Sequence, residues 1–245
     1  MTRIVLLLVI LCMSGGAYAQ ADYAREQRWA DEITPAIVVG DPVHLEASGR
    51  KFLALHTPRP GARAGVVVVH GMGMHPDWGL INPLRSGLAD HGYTTLSVQM
   101  PVLAADADGA QYPPLYPEAA ARLQAAVAFL RSGGTKKVAI VSHSLGTRMA
   151  NFFLNSNAGS SVDAWVAIGL SGEFSRPETL KAPILDLFGE ADFPAVLQSA
   201  EKRAGMLRTV RGSAQAQIAG ADHFFNGRES ELVRHVRMFL DRTLR

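Results

Sequence analysis

The chain has 245 residues, 48% of them hydrophobic and 19% charged, with a formal net charge of +2. That length suffices for one well-buried core. Charges of both signs are scattered along it without a basic stripe or an acidic tail, so neither nucleic acid nor an anionic membrane surface is expected as a partner.

At the N-terminus Arg3 precedes an apolar run, residues 4–11, and small and polar residues follow as far as Ala17-Tyr18-Ala19. A short basic region, a brief apolar run and an A-x-A site describe a secretory signal peptide cleaved after Ala19. The run is shorter than the roughly 20 residues needed to cross a ~30 Å hydrocarbon core. Residues 20–245 are therefore expected to form a single exported domain, periplasmic or secreted, with no stable membrane anchor. Cys12 is the only cysteine, and Leu11 before it is not the small residue of a lipid-attachment site. The mature chain is thus expected to lack a thiol nucleophile and a disulfide framework.

Further along, residues 36–46 and 51–57 read as a strand hairpin around Ser48-Gly49. Residues 64–69 are a β-branched run of the kind buried on both faces of a sheet. A helix over 83–91, closed by Gly92, leads to a strand over 93–100 that Pro101 stops. The stretch 101–115, with Gly109, Pro113 and Pro114, reads as a loop. A helix starts near Pro117, with Ala119, Leu123, Ala126, Val127 and Leu130 forming one apolar stripe. Then come strand 137–141, a helix through Leu154, strands 164–170 and 183–188, helix 194–205, strand 214–218 and helix 229–244. Repeated strand–helix units after a hairpin imply an α/β fold: a mostly parallel twisted sheet with helices on both faces and an N-terminal antiparallel hairpin. Sites in such sheets form at the carboxyl ends of the strands.

Four segments at those ends carry chemistry. Ser142-His143-Ser144-Leu145-Gly146 is a small-x-Ser-x-Gly turn between a strand and a helix, with Ser142 in place of the usual first glycine. Small flanking residues are needed because the turn is tight, and the helix N-terminus behind it favours negative charge, which makes the N–H of Leu145 a candidate oxyanion donor. His70-Gly71-Met72-Gly73 follows the valine-rich strand, Asp192 follows Phe188-Gly189-Glu190-Ala191, and His223 follows Ala219-Gly220-Ala221-Asp222. A serine hydroxyl needs a base to take its proton, which His223 would do while Asp192 fixes its tautomer.

The order Ser, Asp, His is that of α/β-hydrolases. From about Ala64 onward the chain resembles a compact α/β-hydrolase, and residues 68–78, Val-Val-His-Gly-Met-Gly-Met-His-Pro-Asp-Trp, resemble more narrowly an uncharacterised (domain-of-unknown-function) exported bacterial branch of that superfamily. The resemblance implies a catalytic triad of Ser144, Asp192 and His223. It also implies an oxyanion hole in which the N–H of Met72, from the His-Gly turn, joins that of Leu145.

Alternatives remain at the acid. Glu173 follows the preceding strand, and Asp186 lies inside a strand where it would be buried and structural or supporting. His44, His56, His91 and His235 fall on elements of ordinary character, and His143 is expected to point away from the substrate. His75 and Trp78, in the loop after the His-Gly turn, and Tyr112 in the 101–115 loop are the expected substrate-binding residues. Asp222 reads as a turn residue, and Phe224 and Phe225 as core. The spacing of His70, His75 and Asp77 matches no familiar ligand pattern, so no metal is expected, and no cofactor motif is present. The connection between the strands ending near Ser171 and starting near Pro183 leaves no room for a cap, so the cleft should be open. The expected function is that of a serine hydrolase forming an acyl-enzyme on small or medium acyl esters. A peptidase or amidase with the same triad, and a non-catalytic binding protein on the hydrolase scaffold, are the alternatives.

Overall fold

The computed structural model describes residues 20–245; the expected signal peptide, with Cys12, lies outside the described residues. The described chain begins with helix α1 (Tyr23–Ile33), whose first turn is closed by the Asp22 carboxylate accepting from Arg25 N–H at 2.9 Å. Strands β1 (Asp41–Ala47) and β2 (Arg50–Thr57) form the expected hairpin. Its turn residues Ser48 and Gly49 both have positive φ, 51° and 73°, the combination that matches the twist of a two-residue hairpin. The first strand starts at Asp41 rather than residue 36, because Thr34–Ala36 continue α1 as a 3₁₀ turn.

Next come β3 (Gly65–Val69), α2 (Ile81–Asp90), β4 (Thr94–Val98), α3 (Tyr116–Ser132), β5 (Val138–His143), α4 (Leu145–Leu154) and β6 (Ala164–Ile168). β7 (Ile184–Ala191), α5 (Pro194–Leu207), β8 (Ala214–Asp222) and α6 (Glu229–Thr243) complete the chain. The eight strands of the described residues join one sheet in the order β1-β2-β4-β3-β5-β6-β7-β8. β2 runs antiparallel to β1 and β4, and every pair from β4 through β3 to β8 is parallel.

The period-two alternation of strand side chains divides the core between the two faces. Val67 and Val69 of β3, Ile140 of β5 and Trp165 and Ala167 of β6 pack with Leu123 and Leu130 of α3 and Met149 and Phe153 of α4. Val66 and Val68, Ala139 and Val141, and Val166 and Ile168 pack on the opposite face, with Leu84 and Leu88 of α2 and Leu232 and Val236 of α6. Each of these strands is buried on both sides, which is why β-branched runs dominate them. β6 and β7 are joined by residues 169–183, which hold one 3₁₀ turn (Pro177–Thr179) and no cap domain.

Candidate active site

The elbow after β5 is made by local sequence. Ser144 has φ 53° and ψ −124°, a strained conformation for a residue with a side chain, and its N–H donates to Ile168 O at 2.8 Å. Gly146 permits the turn: a Cβ there would lie 2.3 Å from His70 O and 3.0 Å from Val69 Cγ1. Helix α4 can therefore start directly against the end of β3. Ser142 fills the place of the first glycine because its hydroxyl accepts from Trp165 Nε1 at 2.9 Å and donates to Val166 O at 3.2 Å.

The sheet brings three of the expected residues into one hydrogen-bonded chain. His223 Nε2 lies 2.9 Å from Ser144 Oγ, and His223 Nδ1 lies 2.5 Å from Asp192 Oδ1. Asp192 also accepts from Phe193 N–H at 2.7 Å and Gly189 N–H at 3.3 Å, so its oxygens are held in place within the protein. Gly169, with φ 61°, makes room for the pair: a Cβ there would sit 2.9 Å from His223 Cε1 and 3.1 Å from its Nδ1. β8 runs on to Asp222, past the expected end at residue 218, because a bulge at Gly189/Ala191 lets it keep pairing with β7. That extension carries His223 to Asp192. Asp222 is a turn residue, accepting from Phe224 and Asn226 N–H.

The other candidate acids are engaged elsewhere. Glu173 pairs with Lys202 at 2.6 Å. Asp186 is fully buried against Arg203 at 2.8 Å and Gln215 at 2.7 Å, and burial raises its carboxyl above the ordinary value even so. It ties α5 to β7 beneath Asp192.

Two buried histidines hold the site from below. His143 does not face the cleft: its Nε2–H donates to His223 O at 3.0 Å, and burial pushes its pKa down to about 3. His70 has Nδ1 2.8 Å from Gly71 O, while its Nε2 accepts from Met100 N–H at 2.9 Å, which places its proton on Nδ1. Burial holds it too at about 3. Because C=O and N–H of one peptide plane point oppositely, fixing Gly71 O fixes the direction of Met72 N–H. The Met72 and Leu145 N–H groups have no protein acceptor among the described residues, and Gly71 abuts Ser144, since a Cβ there would be 3.1 Å from Ser144 Cβ. Behind His70, Gln99 O accepts from Arg122 at 3.0 Å, and Arg122 pairs with the buried Glu26 of α1 at 2.7 Å. Helix α1 thus braces the His-Gly turn.

Among the expected substrate contacts only Trp78 lies at the surface of the site. Its ring is 40% exposed and meets Phe224 edge-on at 5.9 Å. Tyr112 is a correction: it is 1% exposed, and its hydroxyl accepts from Leu103 N–H at 3.2 Å, so it holds the 101–115 loop closed instead of lining the cleft. His75 is half-buried, its ring packing on Trp29 of α1 at 5.8 Å. Phe225 is core as expected, whereas Phe224 is half-buried beside His223, 5.2 Å between ring centroids. Phe193 was not anticipated: it is 51% exposed and stacks on His223 at 4.0 Å. Its only sequence signal is its place directly after Asp192. Met72, Trp78, Phe193 and Phe224 give the site an apolar rim, with a cavity of about 280 Å³ between Trp78 and Phe224. Among the described residues no group of three or more His, Cys, Asp or Glu side chains is placed to hold a metal.

Comparison with known proteins agrees with this architecture. A family model described as a protein of unknown function (DUF3530) matches residues 2–120, in line with the uncharacterised branch that residues 68–78 resemble. No curated protein sequence matches the chain. A dienelactone hydrolase from Anabaena variabilis is similar in structure with a TM-score of 0.66 and 20% identity, over 83% of this chain and 97% of that one. An α/β serine hydrolase without lid from Xanthomonas campestris gives 0.63 and 14%, over 84% and 95%. An esterase from Pyrococcus furiosus gives 0.66 and 13%, over 84% and 93%. At these identities the likeness is one of fold. The family model described as the alpha/beta hydrolase family matches residues 66–244, well over half of the sequence, and the chain belongs to that family.

Proposed function

We propose that the protein is an exported serine hydrolase that cleaves carboxylic esters of small or medium acyl groups through an acyl-enzyme. The observation that carries this reading is the Ser144–His223–Asp192 chain, at 2.9 and 2.5 Å, on an elbow of positive φ. Ser144 Oγ attacks the ester carbonyl as its proton passes to His223 Nε2, and Asp192 steadies the resulting imidazolium through Nδ1–H. The negative charge gathering on the carbonyl oxygen is met by the N–H groups of Met72 and Leu145. Collapse breaks the ester C–O bond, and His223 returns the proton to the departing alkoxide. Water, deprotonated by His223, then attacks the acyl-enzyme, and the carboxylic acid leaves as Ser144 regains its proton.

The absence of a cap on residues 169–183 and the apolar rim of Met72, Trp78, Phe193 and Phe224 support short or medium acyl chains. The test is kcat/KM across para-nitrophenyl esters from acetyl to palmitoyl. Greatest activity on the short and medium esters is expected. Activity confined to the long ones would overturn the size assignment, and no hydrolysis of any ester by the folded protein would overturn the esterase reading.

A further inference from the structure

A second cavity, of about 460 Å³, is lined by Tyr116, Arg148, Phe152, Ser171 and Glu173 among others. Two tethers place it near the Ser144 elbow. Arg148 follows Leu145, whose N–H is the candidate second oxyanion donor, by three residues within α4, so the two share a helix face with Cβ atoms about 6 Å apart. Ser171 is two residues past Gly169, whose backbone packs on His223, and two Cα steps span at most about 7.6 Å. Asn151 of α4 stitches the far end of the same loop, accepting from Ser175 N–H at 3.2 Å, so the wall is fixed.

The cavity is built for an anion. Arg148 is half-buried and makes no hydrogen bond or ion pair among the described residues. Glu173, the one acid on the lining, pairs with Lys202 at 2.6 Å. The Tyr116 hydroxyl is buried without a hydrogen-bond partner among the described residues, and its ring meets that of Phe152, 46% exposed, at 5.9 Å. The Arg148 guanidinium supplies charge-assisted donors for a carboxylate, and the two rings supply faces for the body that carries it. A single cation matches one negative charge, which favours a carboxylate over a phosphate dianion.

We propose that this cavity binds a carboxylate of the substrate, so that the preferred ester bears a negative charge about one helical turn from its scissile carbonyl. The proposal rests on the serine-hydrolase reading for the ester, and on the cavity alone for the anion. Two matched pairs of esters test it and separate the two ends of the molecule. Para-acetoxybenzoate against its methyl ester places the charge on the alcohol portion, and monomethyl adipate against dimethyl adipate places it on the acyl portion. The wild type should favour at least one anion over its neutral partner by about tenfold or more in kcat/KM, chiefly through KM. R148Q should abolish the discrimination and R148K should retain part of it. Equal rates within both pairs, or a preference that survives R148Q, would overturn the proposal. Calorimetric titration with para-hydroxybenzoate and with adipate, using S144A and the double variant S144A/R148Q, needs no turnover. Binding of either that disappears with Arg148 supports the anion site even if no ester is hydrolysed, an outcome that would sink the serine reading alone. Hydrolysis with neither preference nor binding sinks the anion site alone.

Discussion

Replacing Gly169 by alanine perturbs the junction of His223 and Asp192, the proposed base and acid, without changing either residue. At φ 61° a side chain costs roughly 1–2 kcal/mol of backbone strain. The new Cβ would stand 2.9 Å from His223 Cε1 and 3.1 Å from Nδ1, where carbon contacts relax to about 3.5 Å or more, so the imidazole must move by about half an ångström. Phe193, stacked on the ring at 4.0 Å, and His143, at 4.8 Å, restrict where it can go. A displacement approaching 1 Å in a catalytic constellation costs on the order of a hundredfold in rate. Half that displacement should slow the second-order rate of fluorophosphonate labelling by about tenfold, with urea unfolding showing a loss of about 1–2 kcal/mol. Gly134, at φ 88°, supplies the control, because a Cβ added there would meet nothing within 4 Å. Gly134→Ala should lose similar stability and label at the wild-type rate. Wild-type labelling of Gly169→Ala, or an equal drop in Gly134→Ala, would refute the steric reasoning.

Acid should unfold the protein through His70 and His143, both held near pKa 3 by burial against an ordinary value of 6.5. The unfolded chain takes up their protons first, so the stability they contribute is complete above pH 6.5 and is lost as pH falls towards 3. Between pH 7 and pH 5 that amounts to about 2 kcal/mol for each, about 4 together, and a flat stability across this window in urea titrations would contradict it. Arg122→Leu strands the buried Glu26 carboxylate and should destabilise by about 3–5 kcal/mol; adding Glu26→Leu should recover much of the loss, and equal melts for the single and double variants would argue against a buried pair. Phe193→Ala removes the ring stacked on His223 and should lower kcat by a few-fold to about tenfold, measured on a short-chain ester; an unchanged kcat would show that the stack does not steady the base.

The interior of the sheet was plain in the sequence because β3, β5 and β6 are buried on both faces and only apolar, mostly β-branched, runs satisfy that. Ser144, Asp192 and His223 were legible for a related reason: each stands directly past a strand whose end the sequence marks with small residues. Helix α1 was not foreseen. It commits few apolar side chains, Ala30 and Ile33, and it owes its place partly to Glu26 meeting Arg122, a partner 96 residues away. The rim was misjudged for the same want of long-range information. Tyr112 in a proline-rich loop looks the same whether its ring faces outward or, as here, turns in to hold Leu103. Nothing local distinguishes Phe193, which stacks on His223, from Phe225, which is core. The bulge that lengthens β8 depends on the register between two strands, and no single segment encodes it.

The most direct test of the central claim is to label the folded protein with a fluorophosphonate and map the adduct by mass spectrometry. The account predicts one adduct on Ser144, absent when the protein is unfolded first and absent in folded Ser144→Ala and His223→Ala. An adduct on another serine, or none on the folded wild type, would contradict it.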